Sequence, residues 1–525
     1  MRSRSDSSEV EATTTRTSTT VCRTCAARKP FARVVGAVGE WLRPPSAQPA
    51  TSNASGSAAK RKAPGTIQGT IGPVTLAERL AAFTASLSFD ALPDEVVASV
   101  RLRTLDVLGI ALASSRGDWA PAVIDLAGQG GGECTVVGTA RTAPVPLAIL
   151  VNGTLAHGLD FDDTHAASIT HASAVILPTV FALAEAYELD GRTTVTAAVA
   201  GYEAITRIGM AAAGAFHARG WHATAVCGAF AAALAAGRLQ GLDAKRLTAA
   251  LGLAGSFASG VMEHLEDGSW VKRLHPGWAG HSGALAAALA RGGVPGPATI
   301  LEGRFGLYRT FLGVEPDPRP FETLGREWEI LRVGYKPYPC CHLNHAYLDC
   351  ALELRRAPGV SADAIESIEC RVPAGEVPIV CEPVEVKRRP RTSYDAQFSL
   401  AFSVASAFVD GAVGIDTYAP ARLTDERILA LASRVRHVID PDSPFPATFP
   451  GWLRVRLADG RQLEARVPHG RGGPDRPLPP GALVDKFRDN GRRALSAARL
   501  AELERAALEV DRLKSVRELM RLCRG

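Results

Sequence analysis

Ten of the chain's twelve histidines fall between His157 and His345, and an acidic run, Asp160-Phe161-Asp162-Asp163-Thr164-His165, lies at the start of that stretch. A hydrophobic core has no use for so many titratable groups. The spacing therefore points first to a functional site, with helix capping and solvated loop charge as the alternative. Three chemistries suit the pattern. Aspartate and histidine can ligate a divalent cation, an Asp-rich run can hold a diphosphate through Mg²⁺, and carboxylate with imidazole can move protons unaided. The metal reading needs further ligands at suitable spacing, but no HExxH occurs. The diphosphate reading needs a second acidic motif on a later helix, and none is present.

Three further clusters follow. Arg219-Gly220-Trp221-His222-Ala223-Thr224 precedes a helical stretch, where the helix dipole biases His222 to its neutral, base-competent form, or where the ring simply caps the helix. The segment from Glu266 to Trp278 sets Lys272, Arg273 and His275 among aromatic and turn residues. These donors fit the carboxylates of a small anion, the alternative being an ordinary charged loop. The segment from Tyr335 to His345 holds Lys336, the adjacent Cys340 and Cys341, His342 and His345. Adjacent cysteines do not share one metal comfortably, so they read as packing. Gly128 to Gly132 matches neither a P-loop nor a dinucleotide fingerprint, and no GxSxG nucleophile elbow occurs.

The elements that must position these groups are mostly helical. Thr75-x-x-Glu78 is a capping box before Leu76, Leu80, Phe83 and Leu87, and Pro93-Asp94-Glu95 opens a second helix. Helical periodicity then continues to about Ala290, with segments Pro146 to Leu159, Ala174 to Glu188 and Ala244 to Leu253; the acidic run lies at a helix end and the loop beyond it. The texture changes after Lys336. Ile368, Cys370 and Val372 alternate as in a strand, and Leu453, Val455 and Leu457 pair with Leu463, Ala465 and Val467 across Asp459-Gly460. Gln397 to Val409 and Asp425 to Val435 read as helices between them. The pattern divides the chain into residues 1–70, a helical first segment 73–335, an α+β unit 336–468, and a helical segment 483–525 that packs back on the first. The fold class is mainly α with a smaller α+β domain.

With 525 residues, 46% hydrophobic and 22% charged, the chain can bury more than one core. The net charge of +5 is uneven: residues 1–70 carry 11 Lys+Arg against 4 Asp+Glu, leaving 48 against 50. The body has no electrostatic footprint for nucleic acid. No window is fit to span a bilayer; Gly220 to Gly237 reads as a buried helix. Ten scattered cysteines do not form a disulfide framework, and Cys22-x-x-Cys25 lacks the partners of a zinc site. Residues 1–70 are Ser/Thr/Arg-rich and read as a disordered extension. A cytoplasmic location is expected, an organelle transit peptide in residues 1–70 being the alternative that Asp6, Glu9, Glu11 and Glu40 oppose.

Taken in order, the clusters resemble the MmgE/PrpD family, which includes 2-methylcitrate dehydratase, cis-aconitate decarboxylase and iminodisuccinate epimerase. The resemblance is carried by NGTLAHGLDFDDTH from Asn152, HASAVILPT from His171, GYEAITRIG from Gly201 and RGWHATAVCGAF from Arg219. It continues through LEDGSWVKRLHPGWAGHSG from Leu265, EGRFGLYRTF from Glu302 and YKPYPCCHLNHAYLD from Tyr335, and covers about residues 73 to 520. It implies an all-helical domain made from two chain segments, an inserted α+β lid, a polar site between them without cofactor or metal, and a homodimer.

It also implies a lyase, a dehydratase or decarboxylase acting on a small di- or tricarboxylate through a carbanion or enolate-like species. An epimerase on the same scaffold, a catalytically silent oligomer or binding protein, and a Mg²⁺-dependent synthase are the alternatives. By similarity, Asp160, Thr164, His171, His222, Lys272 and Lys336 fall on active-site positions; the first five are expected to be catalytic, and Lys336, with Arg273, His275 and His345, to bind substrate. Lys272 and Lys336 would clamp carboxylates, His222 or His171 would exchange the proton, and Asp160 would orient an imidazole. Lys272 is expected at a solvent-filled cleft, contributing little to stability. The chain departs from the decarboxylase pattern in a loop one residue longer after the acidic run and in Cys341, which stands where decarboxylases carry a histidine.

Removing residues 1–70 should leave folding and any activity nearly unchanged. Thermal melts of the full and truncated chains check this; a large fall in melting temperature would contradict it.

Overall fold

The computed structural model describes residues 74–128, 131–445 and 448–525. The expectations for residues 1–70, including Cys22 and Cys25, lie outside them. At the first helix, α1 (Leu76–Ser86), both hydrogen bonds of the capping box form: Thr75 Oγ1 accepts from the Glu78 N–H at 3.1 Å, and the Thr75 N–H donates to Glu78 at 2.8 Å. There follow α2 (Asp94–Ser114), α3 (Val145–His157), α4 (Ala172–Tyr187), α5 (Gly191–Met210), α6 (Ala223–Leu239), α7 (Ala244–Ala254) and α8 (His275–Arg291). Every residue of α6 except Arg238 is buried, as expected for this Ala-rich stretch. No helix among the described residues is long and apolar enough to cross a membrane.

Small residues set how closely the central helices approach. A Cβ at Gly277 of α8 would lie 2.1 Å from the Leu150 carbonyl oxygen of α3, and one at Gly153 of α3 would lie 2.6 Å from the Gly277 Cα. The two backbones therefore touch at a contact that only glycine permits. α3 delivers the acidic run at its C-terminal end, and α8 follows directly on Lys272, so this contact sets the distance between them.

The smaller unit contains α9 (His345–Leu354), β1 (Ile365–Val372), α10 (Leu400–Asp410), α11 (Glu426–Ala432), β2 (Val435–Ile439), β3 (Gly451–Leu457) and β4 (Gln462–Val467). Its sheet runs in the order β2-β1-β3-β4, with β1 and β2 parallel and the other pairs antiparallel. Cys370 lies opposite Leu453, which lies opposite Ala465. The alternation expected from the sequence thus buries Ile368, Cys370 and Val372 on one face.

One helix departs from expectation. Gln397 to Val409 is not continuous: a short helix, Ser393–Gln397, ends before α10, whose cap Ser399 accepts from the Phe402 N–H. Local capping by serine stops one helix and starts the next, which frees Gln397 and Phe398 to meet the helical part. Similarly α3 stops at His157, two residues before Leu159, and α4 begins at Ala172, so Ser173 lies in its first turn rather than in the loop.

The chain ends with α12 (Pro480–Gly491), α13 (Ala497–Leu508) and α14 (Val516–Leu522). These return to the first helices: Phe487 packs on Gly109, Lys486 pairs with Asp106 at 2.8 Å, and Arg101 pairs with Asp511 at 2.6 Å. Buried apolar side chains form two clusters, one drawn from residues 76–330 and 487–523, the other from 338–467. The fold is mainly helical. The eight described cysteines are free and buried.

Gly277→Val should force α3 and α8 apart, costing about 3 kcal/mol and separating Lys272 from the acidic run. Urea unfolding and activity should fall together; unchanged stability would show that the contact is not the constraint described.

Candidate active site

Beyond α3 the chain turns back on itself. Asp160 adopts a left-handed conformation (φ +50°), which aspartate tolerates better than most residues. Asp160, Asp162 and Asp163 are each 1% exposed or less, so the run is not solvated loop charge. Each carboxylate meets a partner, distant in sequence for Asp160 and Asp163 and local for Asp162. Lys272 Nζ donates to Asp160 Oδ1 at 2.6 Å and to His157 Nε2 at 3.1 Å. Lys336 Nζ donates to Asp160 Oδ2 at 2.8 Å and to the Asp160 carbonyl at 2.9 Å. Asp163 accepts from Arg103 at 2.6 Å and from the Ser173 N–H at 3.1 Å, and also binds the Ser173 hydroxyl. Asp162 contacts His157 Nδ1 at 2.9 Å.

Several other elements pin the same loop. Lys486 of α12 donates to the Phe161 carbonyl at 2.9 Å, and Gln397 donates to the Leu159 and Pro339 carbonyls at 2.7 and 2.8 Å. A two-residue antiparallel ladder sets Thr164 opposite Gly334 and His165 opposite Val333, just before Lys336. His165 itself pairs with Glu329 at 3.1 Å.

The imidazoles are fixed by their partners. His171 Nδ1 donates to the Asp163 carbonyl at 2.8 Å and lies 3.2 Å from Thr164 Oγ1, so the ring, when neutral, carries its lone pair on Nε2. His222 occupies the position before α6 but makes no capping bond there. Its Nδ1 meets His275 Nδ1 at 3.0 Å, while its Nε2 is buried and without a partner. One ring of the His222–His275 pair must donate and the other accept, so a tautomer exchange between them switches His222 Nε2 between donor and acceptor.

A cavity of about 500 Å³ brings together Asp160, Thr164, His171, His222, Lys272 and Lys336. The ammonium groups each have three donors and spend two on the contacts above, leaving one apiece toward the cavity. Three expected binding residues are placed otherwise. Arg273 lies outside the lining, its guanidinium 4.6 Å from the Trp119 ring and 4.7 Å from that of Tyr394, a stacked cation holding packing rather than substrate. His275 stands behind His222, and His345 is buried behind His342 with Nε2 3.3 Å from the Cys340 carbonyl. Cys340 is core, as read, whereas Cys341 reaches the cavity beside His342.

Two further readings are corrected. Asp160 does not orient an imidazole: it pairs with two lysines, and Asp162 is the carboxylate on His157. Lys272 is 5% exposed and ion-paired rather than solvated. The sequence assigns no role to His157, His217 or His342, all of which the structure brings to the site. His157 and His342 fall within the family-like segments and His217 only within the histidine-rich stretch, and their contact with Lys272 and Asp162, or with the cavity, depends on chain reversal.

The ring nitrogens of His157, His171 and His222 lie within 4.8 Å of one another, the spacing of a possible metal trio. His157 fits poorly: Asp162 holds one nitrogen and the Lys272 ammonium occupies the other, so a metal would have to displace a cation already paired with Asp160. The donor set suits proton transfer better than metal ligation.

Burial holds these histidines neutral, with nearby Lys272 or Lys336 adding to the effect at most of them. His217 and His275 are pushed down to about 4, and His264 and His342 to about 3, from the usual 6.5. His157, His171 and His222 shift well below it, also mainly by burial. Asp160 moves the other way relative to its burial, held well below the usual carboxylate range by Lys272 and Lys336. A histidine whose folded pKa is lowered contributes full stability above about pH 6.5 and loses it as pH falls toward the folded value. Asp160 contributes above about pH 4, so its loss comes later. Stability to urea should therefore be level from pH 8 to 7 and fall between pH 6.5 and 5, by about 1 kcal/mol per pH unit for each histidine that must be charged on unfolding. A flat profile to pH 5 would contradict this assignment.

The chain matches two family models, the MmgE/PrpD N-terminal domain over residues 78–319 and the MmgE/PrpD C-terminal domain over residues 338–511. A cis-aconitate decarboxylase-like protein of Aspergillus oryzae is 28% identical over 457 residues, covering 83% of this chain and 94% of that protein. The cis-aconitate decarboxylase of Aspergillus terreus is 27% identical over 474 residues, with 84% and 94% covered. That of Homo sapiens is 27% identical over 396 residues, with 73% and 80% covered. The paired-lysine site therefore sits in a chain matched along both halves, and the protein belongs to the MmgE/PrpD family.

Proposed function

We propose that this protein is a lyase that removes CO₂ from a small polycarboxylate of the cis-aconitate type, using its own side chains and neither metal nor organic cofactor. One observation carries the reading: two buried lysines share the single carboxylate of Asp160, and each keeps a donor for the cavity in which His171 and His222 present unengaged Nε2 atoms. Two cations against one anion leave the floor net positive, complementary to substrate carboxylates. In this reading the α+β unit serves as the lid, and the working form is a homodimer.

Lys272 and Lys336 hold the carboxylates that remain. The C–C bond to the departing carboxylate breaks, its electron pair forms a new double bond to the neighbouring carbon, and the original double bond takes up a proton at its far carbon. His222 gives that proton from Nε2 and recovers one through His275. The apolar surroundings favour loss of charge as CO₂ leaves.

Dehydration is the second reading, favoured by the neutral state of the histidines. His171 Nε2 is a base suited to remove a proton beside a carboxylate, and a lysine ammonium or His222 could donate to the departing hydroxyl. Incubation with cis-aconitate, citrate, 2-methylcitrate and iminodisuccinate in D₂O, followed by NMR, separates the cases. Decarboxylation puts one deuterium on carbon with release of CO₂. Deuterium exchange without net turnover would point instead to epimerase chemistry.

His222→Gln should keep substrate binding and lower turnover by about 10²-fold or more. Lys272→Met should abolish binding and, because the lysine is buried against Asp160, also reduce stability by about 2 kcal/mol. Full activity in either variant removes that residue from the chemistry, and activity lost to a chelator and restored by a metal would overturn the metal-free mechanism.

A further inference from the structure

The charged groups occupy only part of the cavity. Lys272 Nζ lies 5.2 Å from the Phe398 ring, and the lining also includes the apolar side chains of Met262, Leu265, Ile379, Phe445 and Phe449. The Phe445 and Phe449 rings pack 5.8 Å apart, and Phe449 meets His342 at 5.2 Å. Apolar rings thus stand directly beside the polar groups at two places, Phe398 at Lys272 and Phe449 at His342. At about 500 Å³ the cavity is in the range that takes drug-sized ligands. A six-carbon tricarboxylate carries charge at each end and has nothing to set against these rings, whereas apolar surface is useful to binding only when a ligand's apolar atoms cover it.

We infer that the substrate is a polycarboxylate bearing an apolar substituent several carbons long, its carboxylates at Lys272 and Lys336 and its tail along Ile379, Phe445 and Phe449. The inference rests on the polycarboxylate reading above and deepens it. The tail adds binding energy remote from the reacting carbons, which helps hold them against the histidines.

Calorimetric titration with succinate, butylsuccinate, octylsuccinate and octanoate tests it. Affinity should rise from succinate to butylsuccinate to octylsuccinate, by as much as about fourfold per methylene where burial is complete. Affinity that is flat or falls with chain length, while succinate still binds, overturns the tail and leaves the polycarboxylate reading standing. Failure of succinate to bind, or octanoate binding as tightly as octylsuccinate and indifferent to Lys272→Met, defeats that reading and the inference with it. Ile379 is only partly buried, so Ile379→Asp should fold. It should weaken octylsuccinate at least tenfold more than succinate, and equal losses for the two would count against the tail site.

Discussion

A carboxylate taken out of water must find a cation or several donors, and here three of them lie within four residues and are all buried. The desolvation of each costs several kcal/mol unless it is matched. None of the cations is local. Arg103 comes from α2, Lys272 from the turn before α8, Lys336 from the start of the smaller unit, and Lys486 from the C-terminal return serves the neighbouring Asp106 and Phe161. The acidic loop is therefore the place where distant parts of the chain are tied, and the packing of helices has to deliver each cation to within hydrogen-bond distance.

The same arrangement sets the chemistry of the imidazoles. Loss of water on burial, with lysines placed beside the rings, keeps His157, His171 and His222 neutral. Neutral rings can accept a proton, and the His222–His275 contact lets one of them donate as well. Asp160 stays charged because two ammonium groups flank it, so the site holds fixed charge on the floor and neutral proton carriers around it.

Division of labour within the cavity follows from the two buried clusters. The helical part and Lys336 contribute the charged groups and most of the imidazoles, and the smaller unit contributes His342 and most of the aromatic rings and aliphatic wall. Gln397 joins the two by bonding at once to Leu159 of the acidic loop and Pro339. It can do so because Ser399 interrupts what the sequence presents as one helix.

Periodicity, capping residues and turn residues act over a few positions, so the sequence by itself determined the mainly helical class, the capping box at Thr75, the buried Ala-rich helix and the hairpin across Asp459-Gly460. It also marked Asp160, Thr164, His171, His222, Lys272 and Lys336, through residue types that a core would not choose and through family likeness. It assigned to Asp160 the imidazole contact that Asp162 makes two positions on, because the two take different partners once the chain reverses at a positive φ. Nor did it separate Lys272 from Arg273, adjacent cations of which one enters the cavity and the other is enclosed by Trp119 and Tyr394. Those assignments depend on side-chain direction and, for Asp160, Lys272 and Arg273, on partners more than a hundred residues away, and only tertiary packing decides them.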